Sequence, residues 1–492
     1  MTLYTNGFIH TMDEHNTILT AIATEDGLVA NTSPEPKKKY DTVIDLKGAH
    51  MYPGFVDAHM HLLGYGMKLS LPDLKMETDR KAVMDALNTA FDGKPLVATG
   101  YLDIGLNKFD LDTVSETEPV ILRHNDYHSV TANSVVLGMA GIESESGVLT
   151  EEDAEKAIQS LGPVTEEELG TMLETAIRSL WSMGITGAHS DDLGSWIGYK
   201  PTLRVFEDVL EDHPFRTHLL LRHTIFKDFL KSRRQFLDQG PYLQLGAIKI
   251  FYDGTLSSKT ALMKAPYAGS DDHGMTVTPG AVLEKVLRNV RRNKLTVAIH
   301  VIGDQGLEDV VRLLKRNPPQ NGLHDRIIHA SFADTETIRQ MKGMPVVLDV
   351  QPQFIASDLP WGLDILGTAP EHIYPLHTYM DAGLTLCGSS DAPVEIPNPL
   401  LGIKAAVTRK SSTDGSVDSP EERLSVHDAI RMYTTLANVP TYHGDRGVIK
   451  TWNVADFTVF DQDLESMDPD TIDNASCLLT VVDGQVVFDR LT

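Results

Sequence analysis

Ten short apolar runs alternate with helix-like stretches through the middle of this chain, at residues 55–61, 96–101, 119–125, 185–190, 217–223, 245–252, 295–301, 326–330, 345–351 and 384–389. Strands that alternate with helices pair in parallel through crossover connections. The economical closed form of that pattern is a (β/α)₈ barrel. Eight slots leave two runs over, and an inserted lobe within about residues 62–184 is expected to absorb them. Helix starts carry their own signals, as in Thr165-Glu-Glu-Glu168 and Ser425-Val-His-Asp428, where a hydroxyl can cap a backbone N–H three residues on.

The two ends read differently. Residues 3–12, 17–24 and 42–46, and again 456–460, 477–482 and 485–488, have the composition of short strands, the last two joined by Asp483-Gly484, a strong hairpin dipeptide. The expected organisation is a small sheet domain built from residues 1–50 and 446–492, a barrel over 51–400 and the last barrel helices over 401–445.

Composition narrows the partners. With 43 Lys plus Arg against 69 Asp plus Glu, the net charge is −26, which disfavours nucleic acid and anionic membrane surfaces. Only Cys387 and Cys477 occur, so neither a thiolate metal cluster nor a disulfide framework can form, and a cytoplasmic setting fits. The N-terminus lacks a basic segment followed by an apolar one, and no run of about 18 apolar residues occurs. The expected partner is a small-molecule substrate, and a homo-oligomer is left open.

Nineteen histidines are the informative count, because several end apolar runs, where a bare imidazole is costly to bury. Pro53-Gly-Phe-Val-Asp-Ala-His59-Met-His61 places two histidines at i and i+2, on one face of a strand. If that strand opens a barrel, both rings converge at the end where such folds build their sites. His300 closes Leu295-Thr-Val-Ala-Ile-His, His329 closes Arg326-Ile-Ile-His, and Asp391 closes Leu384-Thr-Leu-Cys-Gly-Ser-Ser-Asp. Each alone would more often be a satisfied core residue; four strand ends bearing N or O ligands point to a metal. Lys249 lies between Ile248 and Ile250. It is either a snorkelling or ion-paired lysine, or a buried amine neutral enough to capture carbon dioxide as a carbamate bridging two metals.

Together, residues 53–61, 298–304, 326–329 and 388–391 resemble the metal-ligand motifs of the amidohydrolase superfamily. Residues 248–261 and Tyr127-His-Ser-Val-Thr-Ala-Asn-Ser134 resemble its YtcJ-like subgroup, amidohydrolase family 3, which includes N-substituted formamide deformylases. The resemblance runs nearly the whole chain. It implies an α/β fold, a distorted (β/α)₈ TIM barrel with a composite β-sandwich from both termini, and one or two divalent metals, usually zinc. Carried over by motif, His59, His61 and Asp391 would hold one metal, His300 and His329 the second, and carboxylated Lys249 would bridge them; a mononuclear form needs only His59, His61, His300 and Asp391. The chain departs from the subgroup at Lys259, where arginine is common, and at Tyr127-His128, where Gly-His is common. Both departures bear on the substrate.

A divalent metal lowers the pKa of bound water from about 15.7 toward 7 and polarises a carbonyl. The expected reaction is hydrolysis of a non-peptide C–N bond, amide or formamide, by metal-bound hydroxide with Asp391 as general base and then acid. A deaminase or cyclic-amide hydrolase would use the same ligands, and a regulatory protein could keep the barrel without catalysis. His128, His189, His223, Asp253 and Lys259 are candidate substrate contacts near strand ends. Asp57 is expected to accept hydrogen bonds behind the site, and Asp304 to cap the helix after His300.

Overall fold

Eight of the ten apolar runs form one parallel sheet: β1 (Phe55–Met60), β2 (Ile185–Leu193), β3 (Arg216–Arg222), β4 (Leu243–Phe251), β5 (Val297–Val301), β6 (Asp325–His329), β7 (Val346–Val350) and β8 (Thr385–Gly388). In this computed structural model, which describes residues 1–35, 39–75, 77–124, 129–238 and 240–491, each strand pairs with its successor, from β1 to β8. Strands covered on both faces read as continuous Val/Ile/Leu runs, because neither face meets water. That is why β5 and β7 are buried at every position. Irregularities in β2, at Ser190/Leu193, and in β3 distort the barrel.

Among the described residues no ladder joins β8 back to β1. The gap is fastened just past the strand ends. The Asp391 N–H donates to the His59 carbonyl at 2.9 Å, and the His61 N–H to the Ala392 carbonyl at 2.7 Å. Ser390 donates to the Asp57 carboxylate from its N–H and, at 2.6 Å, from its hydroxyl. The helices follow the apolar periodicity. In Asp304–Arg316, Leu307, Val310, Val311 and Leu314 are buried, one stripe at i, i+3, i+4 and i+7 in which each side chain contributes roughly 1.5–3 kcal/mol of burial.

The chain ends meet in a second sheet. Thr2–His10, Ile18–Glu25, Leu28–Asn31, Thr42–Asp45 and His50–Pro53 join Phe457–Phe460, Cys477–Val482 and Gln485–Asp489 in a single eight-stranded sheet. Thr2–His10 is its branch point: its first half pairs with Thr42–Asp45 and its last residues with His50–Pro53. One core of Tyr4, Ile9, Ile22, Met51, Phe457, Val459, Leu479 and Val481 lies within it. The Asp483-Gly484 hairpin has φ of 56° and 73°, the paired left-handed conformation that a two-residue turn of this type requires. Arg216, at the start of β3, ties this sheet to the barrel by donating to Asp456 at 2.9 and 3.0 Å and to Asp483 at 3.0 Å.

Residues Leu63–Ala176 form a separate compact unit. Here lie the two surplus runs: Leu96–Tyr101 pairs in parallel with Val120–His124, and Ser129–Ala132 and Val148–Thr150 extend the sheet antiparallel. No helix among the described residues is long and apolar enough to cross a membrane. Cys387 and Cys477 are free, buried thiols.

Candidate metal centre

The C-terminal ends of β1, β4, β5, β6 and β8 bring His59, His61, Lys249, His300, His329 and Asp391 together. Asp391 Oδ1 lies 3.5 Å from His59 Nε2 and 3.4 Å from His61 Nε2, and these three residues form one of the groups whose ligand atoms all fall within 4.8 Å of one another. Lys249 Nζ is 3.1 Å from His59 Nε2 and 3.8 Å from Asp191 Oδ2. His300 Nδ1 faces His329 Nε2 at 2.8 Å. His329 and Asp391 reach inward from left-handed backbone, φ 75° and 56°, a conformation that costs a non-glycine residue about 1–3 kcal/mol and clusters at functional sites.

The surrounding hydrogen bonds fix which nitrogens carry protons. Gln351 donates from Nε2 to the Asp349 carbonyl and the Ser389 hydroxyl, which leaves its Oε1 to accept from His329 Nδ1 at 2.7 Å. His300 Nε2 donates to the Gly254 carbonyl at 3.1 Å. A neutral imidazole has one N–H, so the two nitrogens facing each other are both bare lone pairs. Repulsion at that distance is relieved by a cation between or beside them. The outward N–H groups play the part that carbonyls and amides play behind metal-bound histidines.

Charge behaves accordingly. Burial holds His59 and His300 well below the ordinary histidine range, helped by neighbouring positive groups, and takes His329 down to about 4. Burial also lowers the Lys249 amine, against the pull of Asp191 and Asp391. Asp391 shows the opposite balance: burial favours its neutral form, but the His61 hydrogen bond and the charges of His329, His61 and Lys249 outweigh it, so its carboxyl titrates below the ordinary range. The site therefore holds lone pairs and a carboxylate near neutral pH.

The remaining candidates stand outside the ligand cluster, Asp253 Oδ1 lying 3.8 Å from His300 Nε2 on its outer side. Asp253 is buried with its carboxylate on the N–H groups of Leu262, Ile302 and Gly303, which ties the loop after β4 to the end of β5. His189 Nδ1 accepts from Arg326 Nη2 at 2.9 Å and its ring packs on His218 inside the barrel. His223 opens a short 3₁₀ turn after β3, and Lys259 is exposed in left-handed backbone. His128 lies outside the described residues. Asp57 accepts behind the site as described above; Asp304 is not the helix cap, a place taken by Gly303, but the first helical residue, whose carboxylate accepts the Gln305 and Lys264 N–H groups.

Three site residues escaped the sequence reading. Asp191 ends β2 buried beside Lys249, with Arg222 Nε 3.5 Å from its other oxygen; the acidic pair Asp191-Asp192 closing a strand was its available signal. Gln351 and Arg222 also end strands, but neither residue type is a ligand signal.

This donor set fits a divalent cation. Four imidazoles and a carboxylate converge in one place, and His59 Nδ1 is buried without a hydrogen-bond partner among the described residues, while the Asp191 oxygens make no hydrogen bond and are balanced by Lys249 and Arg222 at 3.8 and 3.5 Å.

Comparison with known proteins agrees with this geometry. A family model described as "Amidohydrolase family" matches residues 42–488. The chain is 34% identical to YtcJ of Bacillus subtilis (strain 168), a protein named as an amidohydrolase, with 99% of each chain covered. It is 23% identical to N-substituted formamide deformylase of Arthrobacter pascens, covering 99% of this chain and 98% of that one. Among solved structures, a metal-dependent hydrolase from Pyrococcus horikoshii superimposes with a TM-score of 0.82 at 24% identity, over 95% of this chain and 99% of the other.

Proposed function

Because the chain belongs to the amidohydrolase family, we propose that it is a metal-dependent hydrolase that cleaves a non-peptide C–N bond, of amide or formamide type, in a small molecule. The single observation that carries this reading is the pair of inward lone pairs on His300 and His329 beside the His59, His61 and Asp391 group. Nitrogen-rich sites with one carboxylate suit zinc. His59, His61 and Asp391 would hold one ion, His300 and His329 a second, and Lys249, as a carbamate, would join them. Such an ion lowers the pKa of a water toward 7 and polarises the scissile carbonyl.

This chain's own groups do the rest. Asp391 is a carboxylate at neutral pH, so it can take a proton from the attacking water as the new C–O bond forms. The same carboxyl then gives that proton to the departing nitrogen as the C–N bond breaks, one residue acting as base and then acid. Gln351 and the Gly254 carbonyl keep His329 and His300 oriented throughout. Burial of Lys249 keeps part of its amine neutral, the form that reacts with carbon dioxide. The formamide deformylase relative supports a small acyl group on nitrogen, and the two free thiols suit a cytoplasmic setting.

The test is a panel of N-substituted formamides, simple amides and cyclic imides offered to the zinc-loaded chain. Turnover of a formamide or amide, abolished in Asp391→Asn, is the expected result. Hydrolysis of cyclic imides alone moves the chain to the cyclic-amide class, and no turnover of any member sinks the reading.

A further inference from the structure

A second cluster of ligand-type side chains lies in the terminal sheet, separate from the barrel centre. His10 ends Thr2–His10, His50 begins His50–Pro53, and Asp463 follows Phe457–Phe460. Because His50–Pro53 pairs with both other strands, through Phe8↔His50 and Phe460↔His50, all three residues come to one end of the sheet. His10 Nε2 is 3.0 Å from His50 Nδ1 and 3.9 Å from Asp463 Oδ1, and one ligand atom from each residue falls within 4.8 Å of the others.

We propose that His10, His50 and Asp463 form a second metal site, for a zinc-class divalent cation, that ties both chain ends into one sheet. Ligands about 2.0–2.1 Å from a tetrahedral ion are about 3.3 Å apart; the separations of 3.0 and 3.9 Å bracket that edge, and the 3.4 and 3.5 Å separations around Asp391 lie just above it. The side chains are held in place. His10 stacks on Tyr52 at 4.3 Å and 8°, and His50 stacks on Phe8 at 4.9 Å and 17°. Tyr52 donates its hydroxyl to Asp463 Oδ1 at 3.3 Å while accepting the Leu464 N–H, the Glu465 N–H reaches the same oxygen at 3.2 Å, and the Ser466 hydroxyl reaches Oδ2 at 2.6 Å. These contacts aim the carboxylate at the two rings, the outer support that metal sites need. Two imidazoles and one carboxylate satisfy nitrogen-and-oxygen coordination, and the half-buried side of His50 and Asp463 leaves room for water as fourth ligand. His10 itself is 2% exposed, so the ion would sit at the edge of the sheet core, joining segments about 450 residues apart in the chain.

The alternative is a plain hydrogen-bonded chain of Asp463, His10 and His50, and His50→Gln separates the two, since glutamine can still bond to His10. Full-length wild type, His50→Gln and Asp463→Asn are stripped with chelator, reloaded with zinc chloride, desalted and assayed for zinc per chain and for melting temperature. Each variant is expected to hold one zinc fewer than wild type, to keep hydrolytic activity, and to lose about 2–4 °C of the zinc-dependent rise in melting temperature. Equal zinc content in wild type and both variants, or an equal zinc-dependent rise, overturns the proposal. Because both variants leave the barrel centre untouched, a failure of the hydrolase reading does not affect this result.

Discussion

The two His–His–Asp clusters use the same two residue types and very different surroundings. At the barrel mouth, His59, His61 and Asp391 are joined by Lys249, Asp191, His300 and His329, and two of the rings have their protons fixed outward by a carbonyl and an amide. At the sheet edge, His10 and His50 are held by stacking on Tyr52 and Phe8. The first environment poises charge for chemistry; the second restrains geometry alone. Ligand type marks where a cation can sit, and the outer contacts decide whether anything reacts there.

Four substitutions would break or sharpen that contrast. Asp391→Asn should be the most damaging, lowering kcat/KM by about 10³-fold, within the 10²–10⁴ that positioned acid–base groups supply, with secondary structure unchanged by circular dichroism. Lys249→Met, similar in length and apolar, should cost about 100-fold in kcat/KM, or about 2.7 kcal/mol, and, made in the His50→Gln background so that the sheet-edge site does not contribute, should remove one of the two zinc equivalents of the barrel centre; unchanged zinc content would argue for a mononuclear centre. Gln351→Leu removes the partner of His329 Nδ1 and should weaken zinc binding by about 10–100-fold, read by competition with a chelating dye. His50→Gln should change kcat/KM by less than about twofold, since the contacts of His50 are with Phe8, His10 and Phe460 in the terminal sheet; a large loss would erase the distinction between the clusters.

What the sequence made legible follows from the physics of strands. Burying a histidine, lysine or aspartate in an apolar run is costly, so His59, His61, Lys249, His300, His329 and Asp391 stood out without any alignment, and the barrel brings all six together. The barrel itself was equally visible, as alternation. The two surplus runs could not be told apart beforehand, because Leu96–Tyr101, the helix Lys108–Asp112 and Val120–His124 form a parallel pair with a helical connection, the same local pattern the barrel repeats. Gln351 and Asp191 stayed hidden because their roles depend on which neighbouring strand they face. His10, His50 and Asp463 stayed hidden for a similar reason: register in a sheet built from both ends sets them side by side, and no spacing along the chain encodes it. Asp253 carried a ligand-like signal, yet its carboxylate is taken up by three backbone donors, a use that a linear reading does not distinguish from contact with substrate.

The fastening between β8 and β1 has a consequence for how the molecule comes into being. The bonds from Ser390 to Asp57 connect residues 333 positions apart, and the neighbouring pair from Asp391 to His59 carries two ligands of the candidate centre. Contacts of such separation are slow to form because loop closure precedes their reward. During synthesis, β1 must wait for nearly the whole barrel to leave the ribosome before its last neighbour exists. The ion's pocket is thus completed by the same late event that shuts the barrel, so a chain cut short before residue 391 lacks an edge of its fold and a corner of its chemistry at once.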